Sequence, residues 1–480
     1  MRRIVICLST LLVLGYLLIT SPTSRSQNQT SELPPALDST VKAYGARGDG
    51  QTDDSAAIQR AVDSRQGQIV FPKGVYRLTK TIEIDLDILG PTSVSSDGTA
   101  TIIMAGPGPA FRFIGTHEGT ASPDTVKENV WLKQRSPMVD GLEIVGDHEE
   151  ACGIEATGTM QITLTRLTIR RALHAIHFTK RNRNVIVSNC HLYENRGAGV
   201  YYDNVSIHQS NIVGCHISYN AQGGVVVNKG DIRNIQIGTC DLEGNMGDES
   251  SKPTANVLID SEGAMVGEIE IVGCTIQHTH DAPGSANIRI NENARIRPHS
   301  PEHRDGNITI ADNVLSDVQT NIEITSARGV TVTGNTMWKG YTHNIRIHDC
   351  NNIVVSNNVL DRNPRYHYGD GNTAQVGMLF TNCDGCTITG NHINGTGDER
   401  VAFEVRDSRR MNIVGCSILD YSTTGLLLKN VSDSRVSDCL IRTDLPDSQG
   451  AQALEIIGGK DNQIVNNLYK SSSKIAPRVR

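Results

Sequence analysis

Six residues between positions 203 and 348 have the side chains that acid–base chemistry requires: Asp203, Asp260, Arg289, Glu323, Arg346 and His348. Carboxylates and imidazoles take up and release protons, and a guanidinium neutralises a carboxylate on a bound molecule. Rings surround them in sequence: Trp338, Tyr341, His343, Tyr366 and His367. Seven of the 15 histidines fall between His278 and His367, where an even spread would put far fewer. Rings that stack on an apolar sugar face, beside groups that hydrogen-bond its edges, suit a carbohydrate-binding surface. The first six are therefore the expected catalytic residues and the other five the expected substrate-binding residues. Their spread over more than 160 positions demands an element that folds distant segments together.

A repeat supplies it. Cys190, Cys215, Cys240, Cys274, Asn313, Asn335, Asn358, Asn391, Cys416, Cys439 and Asn467 form a ladder, each with an apolar residue or Tyr two places later. Most steps are 22 to 25 residues, and a fixed period of this size signals a repeat architecture. Within one unit, Val330, Val332, Ile345 and Ile347 alternate with polar residues, which is the pattern of strands. A unit this thin buries its apolar face only by stacking on its neighbours, so the expected fold is a solenoid of parallel strands. Rung side chains then meet their counterparts above and below. Asn amides bond along such a stack, and Cys fills the same inward site as a small hydrophobe. Six of the 11 cysteines are rungs, and Cys350 and Cys383 share a second register. Free structural thiols are expected, with no zinc site and no other metal site assigned to protein ligands.

The N-terminal segment has its own signals. Arg2 and Arg3 precede an apolar run and then small polar residues, a secretory signal pattern over about residues 1–26. An uncleaved anchor is the alternative. Residues 27–39 read as a polar linker. Then comes Tyr44-Gly-Ala-Arg-Gly-Asp-Gly-Gln-Thr-Asp-Asp, followed by Ala56, Ile58, Ala61 and Val62 at helical spacing, and Phe71-Pro-Lys-Gly-Val-Tyr76. Thr52 or Asp53 is placed to cap that helix. These motifs resemble the N-terminal module of the pectate-lyase superfamily, shared by rhamnogalacturonase-like and epimerase-like right-handed β-helices, including phage tailspikes.

The resemblance implies an all-β fold: a right-handed single-stranded parallel β-helix with an N-terminal capping helix. The β-helix domain is expected over 40–480, with cap and first coil at 40–90 and regular coils from about 138 to 470. The Asp-rich run before the helix reads as structural. In this superfamily the substrate groove runs along the outer face of one sheet. Aligning the strand after each rung gives a first outward row of Glu155, His177, Tyr201, Val226, Leu258, Arg289, Glu323, Arg346, Leu379, Glu404, Leu427 and Glu455. The second row is Thr157, Thr179, Asp203, Asn228, Asp260, Asn291, Thr325, His348, Thr381, Arg406 and Lys429. Side-chain alternation makes the rows neighbours. Three stretched ladder steps, with excess at 245–255, 291–306 and 361–375, place loops beside the same coils. The stretch from Gly115 to Pro137, with His117, Lys127, Trp131 and Arg135, adds to the rim.

The expected partner is an acidic, uronic-acid-containing polysaccharide, and the expected activity is lyase-type β-elimination or C5 epimerisation. Arg289 and Arg346 would neutralise the substrate carboxylate, and His348, Tyr366 or His367 would move the proton. Asp203 and Asp260 offer the oxygens that calcium prefers, so calcium is the one cofactor considered. Glu323, between two arginines, reads as an ion-pair partner more readily than as a proton donor. The alternatives are an inverting hydrolase working through Asp203 and Asp260, and a binding or adhesion solenoid without turnover. Arg346-Ile347-His348 resembles the Arg-Ile-Lys motif of polygalacturonases with His in place of Lys, while their Asn-Thr-Asp and Gly-His-Gly motifs are absent. A net charge of −7 argues against a general nucleic-acid partner, and only the N-terminal segment could enter a membrane.

Overall fold

The structure is a computed structural model. It describes residues 38–469, apart from 121, 249–253, 263, 293–305, 363–374, 376, 398–400, 447 and 449. The expected signal peptide, nearly all of the linker, and Tyr366 and His367 lie outside the described residues. Among the described residues no helix is long and apolar enough to cross a membrane.

Every strand pairing is parallel, and each coil contributes strands to three stacked sheets. The first sheet includes Ile176–Ser188 at its start, Val225–Asn228, Ala255–Asp260, Ala286–Asn291, Val318–Thr325 and Gly340–His348. The chain turns a corner after these strands and enters the second sheet, which includes Asp231–Gly238, Val266–Val272 and Gly306–Ala311. The third holds the short strands that follow each rung, such as Thr275–Gln277 and Val314–Ser316. Alternation along each strand sends one row inward. Ile176, Val200, Val225, Val257, Ile288, Ile322 and Ile345 stack in register and are buried in one continuous core.

The rungs do what the ladder predicts, and the corner geometry explains why only two residue types occur there. The residue before every rung has a positive φ, from Asn189 at 53° to Asn466 at 53°, so the chain turns sharply and cannot continue its strand pairing. The rung side chain makes good that loss. Asn335 donates from Nδ2 to Ile310 O at 3.0 Å, a carbonyl of the preceding coil, and its Oδ1 accepts the backbone N–H of Asn313 at 3.0 Å. Cysteine meets the same demands more weakly: Cys274 Sγ lies 3.8 Å from Ile237 O and accepts the N–H of Cys240 at 3.5 Å. The ten described cysteines are free and buried. Cys383 and Cys386 also form a Cys-x-x-Cys pair, a zinc-ligand spacing that the sequence reading missed when it set zinc aside; both are inward-facing core residues.

A second ladder escaped the sequence reading. Asn195, Asn220, Asn245, Asn256, Asn287, Asn321 and Asn344 are fully or almost fully buried, and each passes an Nδ2 hydrogen to Oδ1 of the next at 2.6–2.8 Å. It starts after the third-sheet strands at Asn195, Asn220 and Asn245, continues inside the first-sheet strands from Asn256 on, and fixes their level from coil to coil.

The N-terminal helix is Ser55–Asp63, and it starts later than expected. Asp54 holds the N-cap position in place of Thr52 or Asp53, and the buried face is Ala57, Ile58, Ala61 and Val62, with Ala56 exposed. Asp54 instead ties down the glycine loop, accepting the N–H groups of Arg47 at 2.7 Å and Gly48 at 3.0 Å. Gly48 is required there: its φ is +64°, and a Cβ would lie 2.9 Å from the Tyr76 ring. Asp53 accepts from the Ser55 and Thr79 hydroxyls at 2.5 and 2.6 Å, and Asp49 from Thr52. The acidic run is thus consumed by local hydrogen bonds.

Candidate functional site

Both outward rows assemble in the expected register. Glu155, His177, Tyr201, Val226, Leu258, Arg289, Glu323 and Arg346 pair in consecutive coils, as do Thr179, Asp203, Asn228, Asp260, Asn291, Thr325 and His348. The row extends backwards through Arg112 to Glu83. Parallel strands lie about 4.8 Å apart, so Tyr201 and Arg346, five steps apart, mark roughly 24 Å of groove.

Among the described residues, two clefts deepen the groove. The first cleft, about 480 Å³, has walls that include His174, Tyr201, Asn228, Leu258, Asp260 and Glu262. The His174 ring stacks on Tyr201 with centroids 4.4 Å apart. Its Nδ1 accepts the N–H of Ala198 at 3.0 Å, so the neutral ring carries its proton on Nε2. Burial, and then the neighbouring His177, hold the His174 pKa down to about 4. Asn228 donates to the Tyr201 hydroxyl at 2.9 Å. Burial, with Asp203 alongside, pushes the phenol pKa up and keeps it protonated.

Asp203 stands next in the row to Asn228 and lies 3.2 Å from His177 Nε2. The other ring nitrogen of His177 faces Glu155 at 3.8 Å, and Glu155 is held by Arg112, which Glu83 holds in turn, both at 2.8 Å. A chain of acidic and basic side chains thus links Asp203 to Glu83 across five coils. Asp260, two coils beyond Asp203, accepts the N–H of Glu262 at 3.3 Å, while the Glu262 carboxylate pairs with Lys229 at 2.8 Å.

The second cleft, about 700 Å³, is lined by Arg289, Asn291, Glu323, Arg346, Gln319 and the turn from Asp281 to Gly284. Arg289 is committed to the wall. Its Nε donates to Glu323 at 2.8 Å and its Nη1 to Thr254 O at 2.9 Å, while Nη2 donates to Gly284 O; only 8 % of the residue is exposed. Glu323 is shared with Arg346, 3.2 Å away, whose side chain is half exposed. Of the two expected cations, Arg346 alone faces solvent. His348 is exposed two residues further along and lines neither cleft.

The expected ring residues are only partly gathered. Tyr341 stacks on His280 at 4.0 Å. Neither Trp338 nor His343 is in either lining. Trp338 sits at a corner under the Lys339 ammonium, 5.0 Å from its ring, and Lys339 pairs with Asp317 at 3.0 Å. His343 is half-buried, in register with Thr320. His174, His177 and Tyr201 were not singled out from sequence, although two of them stand in the first row. The signal was there in that row: an imidazole and a phenol in successive coils, with a carboxylate two residues on.

Calcium takes six to eight oxygen ligands. Asp203 and Asp260 are separated by a whole coil, and among the described residues no group of three or more His, Cys, Asp or Glu could hold a metal. The ten described cysteine thiols are buried, six of them as rungs, and do not form an open ligand set.

Comparison with known proteins agrees with this architecture. Residues 39–98 match the family described as rhamnogalacturonase A/epimerase, pectate lyase-like, and residues 139–276 match the right-handed β-helix region. Residues 255–478 match the family described as periplasmic copper-binding protein (NosD). No curated protein matches the chain. Among solved structures, a mutant tailspike protein of E. coli bacteriophage HK620 in complex with a hexasaccharide is similar at a TM-score of 0.56 and 11% identity, over 88% of this chain and 77% of that one. The pre-mature gene product 12 of bacteriophage phi29 is similar at 0.52 and 13%, over 89% of this chain and 55% of that one. The A-module of an Azotobacter vinelandii mannuronan C-5 epimerase aligns at 0.40 and 13%, over 92% and 98%. The chain is a right-handed parallel β-helix that opens with a pectate-lyase-like module.

Proposed function

We propose that the chain binds an acidic polysaccharide along the outer face of its first sheet and cleaves it by acid–base catalysis, with Asp203 and Asp260 as the working carboxylates. The observation that carries this reading is their placement in one outward row, two coils apart, with Asn228 between them and Tyr201 alongside. Two strand steps are about 9.6 Å. Inverting glycosidases hold their carboxyl groups roughly 6.5–9.5 Å apart, leaving room for a water, and side-chain rotation covers the difference. Asp203, oriented by His177, is the base; Asp260 is the acid. Tyr201 and His174 furnish a ring surface and hydrogen-bond donors for the sugar between them. The hexasaccharide carried by the similar tailspike supports a saccharide ligand. The exposed Arg346 guanidinium favours an acidic one.

Elimination is the second reading, favoured by Arg346 and His348 projecting outward from one strand. It has lost ground because Arg289 is spent on Glu323 and two carbonyls. A panel of uronic-acid polysaccharides, followed for reducing ends and for the ultraviolet absorbance of an unsaturated uronate, decides. Reducing ends without absorbance, falling by a hundredfold or more in both Asp203→Asn and Asp260→Asn, is the expected result. Absorbance that disappears in Arg346→Ala or His348→Ala assigns the lyase reading instead. Binding without either product removes catalysis.

A further inference from the structure

A concentration of cationic groups lies outside both clefts, at the corner between the first and second sheets. Within Ile176–Ser188, Arg181 and Arg183 flank the inward Asn182, whose Oδ1 accepts from the Thr159 hydroxyl at 2.7 Å. One coil on, Arg183 is in register with His208, and His208 with Arg233. Residues 115–120 fold over this corner. The His117 N–H donates to Gly158 O at 2.9 Å, and Arg183 Nη1 donates to Thr120 O at 3.0 Å.

Arg183 is also bonded through Nε to Asn184 Oδ1 at 3.1 Å, but other polar atoms here are not satisfied. His117 is 1% exposed, and neither of its ring nitrogens has a hydrogen-bond partner. Arg181 gives Nη1 to the Ser206 hydroxyl at 2.5 Å, yet its buried Nε has none, and the same is true of His208 Nδ1. Leaving such groups buried and unpaired is costly. The facing carboxylates are Asp231 and Glu268, at 3.9 and 3.8 Å from Arg233; Asp231 also acts on Arg181, and Glu268 on His208. Burial, then the guanidinium groups of Arg181 and Arg183, hold the His117 pKa down to about 4. Burial lowers both arginines as well.

We propose that the corner formed by Arg181, Arg183, His117 and His208 is a binding site for an oxyanion, a carboxylate or sulfate group carried by the polysaccharide. A guanidinium offers paired donors of the geometry such groups accept. Arg181 follows Thr179 by two residues, and Thr179 is in register with Asp203. Arg181 therefore lies one corner away from the row that holds the proposed base. It is placed to hold the polymer level at the edge of the first cleft. The inference rests on the proposed reading for the polymer that carries the anion, but the site itself does not depend on turnover.

The test is a calorimetric titration of the full chain with sodium sulfate and, separately, with sodium glucuronate, against sodium chloride at matched ionic strength. Saturable binding is expected with one or both, at least tenfold weaker in Arg181→Gln and unchanged in Arg435→Gln, a distant exposed position. Saturation by sulfate alone assigns a sulfate ester, and saturation by glucuronate assigns a uronate. The bound anion should also move the His117 ring titration upward from about 4 in NMR spectra. Absence of saturable binding beyond the chloride control, or equal binding in Arg181→Gln with an unchanged unfolding midpoint, overturns the proposal. Anion binding that persists in a chain without activity on any polysaccharide leaves the site standing and removes the catalytic reading.

Discussion

Replacing Asn220 by alanine should be among the most destabilising single changes in the molecule. Asn220 is fully buried and makes four side-chain hydrogen bonds. Its Nδ2 donates to Leu192 O at 3.0 Å and Asn245 Oδ1 at 2.7 Å, and its Oδ1 accepts the backbone N–H and Nδ2 of Asn195 at 3.3 and 2.7 Å. Alanine strands two buried donors on Asn195, each costing about 1–3 kcal/mol, for a loss of roughly 2–6 kcal/mol. Asn220→Asp keeps the acceptor but turns a carboxylate towards Leu192 O and Asn245 Oδ1, so it should be at least as damaging. Urea unfolding of the full chain measures the loss as a shift in midpoint at constant slope. Hydrogen exchange at the Asn195 amide reports whether the damage starts at that rung, as nearest-neighbour coupling in a solenoid requires. A loss under about 1 kcal/mol, or an aspartate milder than alanine, would refute the argument that these amides set the level of the coils.

Glu323→Gln should cost about 2–4 kcal/mol, because Arg289 would keep its charge in a nearly dry wall without its carboxylate; thermal unfolding checks this. The pKa of Asp53 is held down to about 2, where burial opposes and the Ser55 and Thr79 hydrogen bonds prevail. A depressed acid stabilises above its unfolded value and loses that contribution as pH falls. The N-terminal module should therefore loosen between about pH 4 and pH 2, and Asp53→Asn should flatten that dependence in an acid titration followed by circular dichroism. None of the ten buried thiols should react with a thiol reagent until the chain unfolds, and a fast-reacting rung would contradict the packed ladder.

The register was legible because one side chain per coil is constrained by geometry. A left-handed corner followed by a residue that must both donate to and accept from the preceding coil leaves Asn and Cys as visible marks, and counting from them placed Tyr201, Asp260 and Arg346 correctly. The second ladder was hidden by a change of segment: Asn245 follows a third-sheet strand, whereas Asn256, only 11 residues later, lies within a first-sheet strand. Its later members were readable in Asn287-Ile-Arg-Ile, Asn321-Ile-Glu-Ile and Asn344-Ile-Arg-Ile. Side-chain commitment was not readable. The alignment puts Arg289 beside Glu323, but that it also reaches back to Thr254 O depends on how a turn folds. The pairing of His177 with Asp203 likewise needed rotamers, not positions.

The stack of coils also acts as a ruler. Distances between outward groups come in whole strand steps, and their number is set by how many coils lie between. Excising the single coil from Cys215 to Thr239 would bring Asp203 level with Asp260 in adjacent strands, about 4.8 Å apart instead of about 9.6 Å. That is close to the roughly 5–5.5 Å at which retaining glycosidases hold their carboxyl pair. A fold built this way can change the stereochemical outcome of a reaction by gaining or losing one repeat, with no substitution at either acid.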